Sequence, residues 1–196
     1  MGYITRPTAY FDAPGPANTA DAVELAVSRA QELESRTIVL ASTSGATARA
    51  FMEAARGKDI RLVVVTHVVG FAEPGVSEFE DDAKDALLAE GHLVVTGTHA
   101  LSGLERSLSR AARIGGGSRT EAIAEALRRV IAVGMKVAVE CVLIASDQGA
   151  ISIHDEVVAV GGTATGADCV AVIRPGHTAS FFDLQVREIV AMPRNR

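Results

Sequence analysis

A chain of 196 residues, 48% hydrophobic and 22% charged, carries enough apolar material for one ordinary core, which excludes intrinsic disorder and a large multidomain enzyme. Aromatic residues are only 4%, with no tryptophan, so a base-stacking nucleic-acid surface and an aromatic sugar platform are excluded. The formal charge of −5 argues against a general polyanion binder and leaves room only for a local anion site.

The first residues with structural character, Phe11-Asp12-Ala13-Pro14-Gly15-Pro16, are turn-rich and predict irregular chain. Ala22, Val23, Leu25, Ala26, Ala30 and Leu33 then recur at helical spacing, with Asn18 or Thr19 as the N-cap. Residues 37–41 (TIVLA) form a continuous apolar run of the kind buried on both faces of a parallel sheet. Ser42-Thr43-Ser44-Gly45 breaks that run, and residues 46–56 read as a helix. A second apolar strand follows at 61–66, a Gly70-to-Gly75 loop, a charged helix at 78–90 and a third strand at 92–96. Strand–helix–strand alternation of this kind predicts parallel strands joined by right-handed crossovers.

The second half is less regular. Residues 101–114 read as helix or loop, 115–117 as a glycine break and 120–131 as a helix. Residues 136–147 carry strand-like Val137, Val139, Val142 and Ile144, yet Lys136, Glu140 and Asp147 lie near one helical face. Periodicity leaves strand and helix level there. Residues 157–160 and 169–173 are strands joined by a Gly161-Gly162-Thr163-Ala164-Thr165-Gly166 loop, and 184–191 predicts a last strand. No repeat and no linker interrupts residues 1–196, so a single domain is expected.

Cys141 and Cys169 sit in apolar surroundings without a C-x-x-C partner, which suits reduced buried thiols. The first twelve residues lack a basic and an apolar signal region, and no apolar stretch approaches the ~20 residues of a membrane span. A cytoplasmic protein is expected, with neither membrane nor nucleic acid as partner. The five histidines lack ligand spacing such as H-x-x-x-H, so no metal site is expected.

In open α/β sheets ligands bind beyond the carboxyl ends of the strands. Those ends deliver Ser42, Thr43, Ser44, Gly45 and Thr47, then Thr66 and His67, Thr96, Thr98 and His99, and finally Gly162 and Thr163. The segment 42–47 is the best candidate phosphate site. Its hydroxyls can donate to phosphate oxygens, Gly45 permits close approach, and the following helix offers its free N–H groups. The same residues also suit a plain N-cap without any ligand. Neither this segment nor 161–166 is a Walker A loop or a Rossmann fingerprint, and the latter also suits a tight corner. His67 and His99 are candidate acid–base groups for a small-molecule enzyme, or else hydrogen-bonded loop residues. Lys136 and Glu140 read most simply as an i,i+4 surface pair, with a pocket role as the other reading. Phe181-Phe182 suits core packing, or the interface of a homo-oligomeric regulatory or assembly protein.

The block Ala41-Ser-Thr-Ser-Gly-Ala-Thr-Ala48, with Leu62-Val-Val-Val-Thr66 and Asp155-Glu-Val-Val-Ala-Val-Gly-Gly162, resembles the C-terminal α/β domain of pyruvate kinase. With Phe11, Gly15, Asn18-Thr19, residues 134–140 and Gly166-Ala167-Asp168, the chain is most similar to the small standalone relatives of that domain. The resemblance implies a three-layer α/β/α sandwich with a mainly parallel sheet. Counting strands from residue 37, the implied order is 3-2-1-4-5 plus a C-terminal strand. It also implies a helix over 136–147.

Within that resemblance, Ser42, Thr43, Ser44, Gly45 and Thr47 become an effector-phosphate cradle. FMN or a sugar-phosphate-like molecule becomes the implied ligand, and a homo-oligomer the implied assembly. Pyruvate kinase activity is not implied, because the catalytic barrel has no counterpart in these residues. Ala46 stands where effector loops carry a basic residue, so Arg49 or an arginine between 113 and 119 is expected to supply the charge.

Overall fold

Runs of aliphatic and β-branched residues become the strands of one seven-stranded sheet in the computed structural model, which describes residues 2–111, 113 and 116–195. The strands are β1 (Ala9–Phe11), β2 (Thr37–Ala41), β3 (Arg61–Thr66), β4 (Leu93–Thr96), β5 (Val157–Gly161), β6 (Cys169–Arg174) and β7 (Gln185–Pro193). Their spatial order is β1-β7-β6-β5-β2-β3-β4. The run β5-β2-β3-β4 is parallel throughout, whereas β6 is antiparallel to both β5 and β7.

The implied order holds from β4 to β7. The detail that differs is β1, which adds to β7 in parallel and extends the sheet by one strand. Phe11, read as irregular chain, pairs with Pro193 in that edge. Three residues are too few to show an alternating pattern, so only the neighbouring strand defines them.

Period-2 alternation divides the central strands between two cores. Ile38, Leu40, Leu62, Val64, Val158 and Val160 face α1 (Thr19–Gln31), α2 (Ala46–Ala55) and α3 (Asp81–Ala89). Val39, Val63, Val65, Val157, Ala159 and Ala171 face α6 (Val133–Asp147) on the opposite side. Phe181 packs against this second core, while Phe182 is 90% exposed. Each such side chain withdrawn from water contributes roughly 1.5–3 kcal/mol before the entropy of ordering is charged. α5 (Arg119–Val130) lies beside α6, and α4 (Gly103–Arg110) lies beside α5. The helix-or-loop segment therefore contains a short helix, and its last residue, 114, lies outside the described residues together with 115 of the glycine break.

Residues 136–147 are helical because they belong to α6, which is buried from Gly134 to Ser146 except at Val137. A helix covered on nearly every side has no polar stripe, which is why periodicity could not separate it from a strand. Its first turn lies against the end of β5 at van der Waals limits. A Cβ on Gly161 would fall 2.1 Å from the Gly134 carbonyl oxygen, and one on Gly134 would fall 2.5 Å from Cys169 Cβ.

Neither Asn18 nor Thr19 caps α1 by accepting from its first turn. Asn18 Nδ2 donates to the Ala13 and Gly15 carbonyls. Thr19 Oγ1 donates to Pro16 and accepts from Ala167 N–H, fastening the 161–166 loop to the start of α1. Among the described residues, no helix is long and apolar enough to cross a membrane.

Candidate functional site

The carboxyl ends of β2, β3 and β5 open onto a cleft of about 480 Å³, walled on its far side by α6. Its volume falls within the range of small-molecule sites. Of the sequence-predicted residues, Ser42, Thr43, Ser44, Thr47, Thr66, His67, His99 and Gly162 line it.

The start of α2 shows how the segment 42–47 divides its labour. Ser42 is buried, and its Oγ accepts from Gly45 N–H (3.2 Å) and Ala48 N–H (3.3 Å). The N-cap reading therefore applies to Ser42, whose hydroxyl satisfies two otherwise orphaned donors. Thr43, Ser44 and Thr47 remain half-buried at the cleft wall, and Ser44 Oγ has only a 3.5 Å contact with Ala46 N–H. The first turn-to-turn bond of α2 runs from Arg49 N–H to Gly45, so the N–H groups of Ala46 and Thr47 precede the helical ladder.

Gly45 does not line the cleft. It adopts φ +107°, and a Cβ there would meet Ala83 Cβ of α3 at 2.6 Å. Its small size serves helix packing and a left-handed turn rather than ligand approach.

Three further expectations are corrected. Thr96 is outside the cleft lining, one hydroxyl contact of 2.8 Å behind the lining residue Thr66. Thr98 borders a smaller adjoining cleft with Gly97 and Ser102. Thr163 lies outside the cleft, and the 161–166 loop is chiefly a tight corner. A Cβ on Gly162 would fall 2.2 Å from the Gly166 carbonyl oxygen. Ala164, Thr165 and Gly166 of that corner nevertheless line the cleft.

Arg49 does not supply charge to the site, because its guanidinium pairs with Glu80 and Asp82. No described arginine between 113 and 119 reaches the lining either. The cleft cations among the described residues are Arg106, Arg128 and Lys136. Both arginines are engaged, Arg106 with Glu121 at 3.0 Å and Arg128 with Glu125 at 2.6 Å.

Lys136 and Glu140 are not a surface pair. Both are buried in α6 and hydrogen-bonded to each other. In water a lysine placed four residues before a glutamate is the less favourable order, and removing both charges from water adds a large cost. Further hydrogen bonds offset that cost. Glu140 Oε1 accepts from Leu101 N–H at 2.8 Å, and His99 Nδ1 lies 3.5 Å from Oε2. Burial pushes the Glu140 carboxyl up, but His99, Lys136 and Leu101 together outweigh it and hold it at about 2. Cys141, also in the lining, has its thiol pushed up to about 12, chiefly by burial and then by Glu140, so it is no nucleophile at neutral pH.

The two histidines are neighbours, with ring centroids 5.4 Å apart. Phe71, from the loop after β3, packs on both, 3.9 Å from His67 and stacked at 5.2 Å on His99. His67 Nδ1 bonds to Glu78 at 2.9 Å, so Glu78, read as helical, instead closes the loop ahead of α3.

The sequence reading missed Phe71, Arg106 and Arg128 as lining residues, and placed Lys136 and Glu140 at the surface. The only available signal was a charged pair inside an otherwise apolar run. Among the described residues no group of histidine, cysteine and carboxylate side chains has metal-binding geometry. The family model described as pyruvate kinase, alpha/beta domain, matches residues 21–173, a span that holds every residue lining the cleft.

Proposed function

The chain belongs to the pyruvate kinase alpha/beta domain family, and from that premise we propose that it binds a phosphorylated small molecule in the cleft above β2, β3 and β5. One observation carries the reading: Thr43, Ser44 and Thr47 present hydroxyls at the N-terminus of α2, in the same cleft wall system as the buried Lys136 ammonium. Hydroxyls and N–H groups suit phosphate oxygens, and the positive end of α2 adds roughly 0.3–1 kcal/mol, up to ~2 where water is excluded. Lys136 brings a cation to the cleft lining, but Glu140 balances its charge, so hydroxyls and N–H groups carry most of the recognition. Phe71 and His99 are stacked and His67 is tilted against them, a ring cluster beside which a planar group can pack, so FMN and sugar phosphates are both ligands of the right class. The reading is of a cytoplasmic homo-oligomer, whose assembly light scattering measures directly.

Ala46→Glu tests the site. Ala46 is exposed, lines the cleft and opens α2, where a carboxylate favours the helix yet repels an anion. The variant is expected to melt at or slightly above the parent temperature. Millimolar inorganic phosphate, FMN or sugar phosphate should raise the melting temperature of the parent protein only. If none of these raises it in the parent, or if Ala46→Glu binds equally well, the reading fails.

A further inference from the structure

The cleft contains a cluster of buried polar groups of which the phosphate reading uses only the Lys136 ammonium. Glu140 Oε2 is shared by the Lys136 ammonium and His99 Nδ1, while Oε1 is held by Leu101 N–H. The side chains of His99, Glu140 and Lys136 are only 15%, 6% and 5% exposed. Nδ1 stands 3.5 Å from a carboxylate oxygen, which can only accept, so this side of the ring favours the proton and leaves the lone pair of a neutral imidazole on Nε2. That Nε2 is buried and has no hydrogen-bond partner among the described residues. Buried nitrogens in folded proteins are nearly always partnered, and this unpartnered one belongs to a residue that lines the cleft. The lysine is likewise incompletely used, since Glu140 occupies one of its three N–H donors. A proton acceptor and a fixed cation thus meet at one carboxylate oxygen, with the Phe71 ring stacked on the imidazole.

We propose that His99, Glu140 and Lys136 are a proton-transfer centre for a phosphorylated carbonyl compound, an inference that rests on the phosphate reading of the same cleft. His99 Nε2 takes the proton from the carbon next to the carbonyl. The electrons of that C–H bond form the C=C of an enediolate, and the carbonyl π pair moves to oxygen. Lys136 stabilises the resulting oxyanion. The imidazolium keeps its Nδ1 proton on Glu140 and returns the new proton to the same carbon or to its neighbour. Return to the same carbon exchanges hydrogen with solvent, and return to the neighbour isomerises the sugar once the hydroxyl proton on the first carbon has passed to the oxyanion, so that the new C=O forms there. Either route restores neutral His99 without another reactant. His99 is the base rather than His67, because its Nε2 is buried and unpartnered and its side chain is 15% exposed against 30% for His67. Glu140 is a positioning residue, which fixes the tautomer and the ring plane.

The experiment is solvent exchange in D2O, followed by proton NMR, with dihydroxyacetone phosphate, ribulose 5-phosphate and fructose 6-phosphate, beside thermal shifts with each. Protein-dependent loss of the signal next to the carbonyl is expected for at least one of them. His99→Gln should slow exchange by ~10²–10⁴-fold while that compound still raises the melting temperature. Glu140→Gln should lower kcat more than it raises KM, and Glu140→Asp should recover part of the rate. A compound that binds but exchanges no faster than in buffer overturns the inference and leaves the binding reading standing. So does a His99→Gln protein that exchanges at the parent rate. Should none of the three bind, this inference falls, whereas the phosphate reading fails only if inorganic phosphate and FMN also give no shift.

Discussion

Ser42 and Ser44 are two residues apart and do different work. Ser42 Oγ is committed to the Gly45 and Ala48 N–H groups, so Ser42→Ala removes a helix cap. A loss of about 1 kcal/mol is expected in chemical denaturation, with ligand affinity changed less than in Ser44→Ala. The reverse pattern would mean that Ser42 turns to the ligand. The sequence identified 42–47 as the start of a helix at a strand end, yet it could not divide the hydroxyls between cap and cleft. That division depends on which oxygen lies within reach of which N–H, and only the placed backbone fixes it.

At the scale of elements, the contact of α6 with β5 sets the cleft's rear wall. Gly134 and Gly161 let helix and strand approach without an intervening Cβ, and the first turns of α6 bring Lys136 and Glu140 to the site. Gly161→Ala must push α6 away from β5, because its Cβ would fall 2.1 Å from a carbonyl oxygen that cannot rotate aside. A destabilisation of roughly 1–3 kcal/mol is expected in denaturant titration. Thermal shifts by phosphate compounds should weaken in parallel, since Lys136 moves with the helix. Unaltered stability would show that the helix has room to retreat. The same packing explains the ambiguity of 136–147 in the sequence: a helix enclosed on almost all sides loses the amphipathic period that identified α1.

For the whole molecule, Glu140 ties acid stability to the site. Its native carboxyl is held at about 2 against an ordinary 4.5, so the folded state binds fewer protons than the unfolded one between those values. The associated stability, on the order of 3 kcal/mol, is fully present above pH ~4.5 and is lost as pH falls through about 2. Glu90 and Glu125 are also lowered by arginine partners, but they are open to solvent, and such pairs contribute little. Denaturation midpoints should therefore fall steeply below pH 4.5 in the parent protein and more shallowly in Glu140→Gln. Equal slopes would assign the acid transition to other carboxylates.

The sequence by itself determined the layered α/β architecture, the β2-to-β5 neighbourhood and the hydroxyl-rich end of β2. The α/β alternation and the hydroxyl-rich strand end follow from run length and turn chemistry, local properties of the chain, whereas the β2-to-β5 neighbourhood was implied by the family resemblance. Only the tertiary structure decided that Lys136 and Glu140 are buried, that Gly45 packs on Ala83, and that Thr96, Thr98 and Thr163 stand off the cleft. It also brought His99 to Glu140, 41 positions onward in the chain. Burial and side-chain pairing are properties of what the rest of the molecule lays over a residue, and no local pattern encodes the covering element.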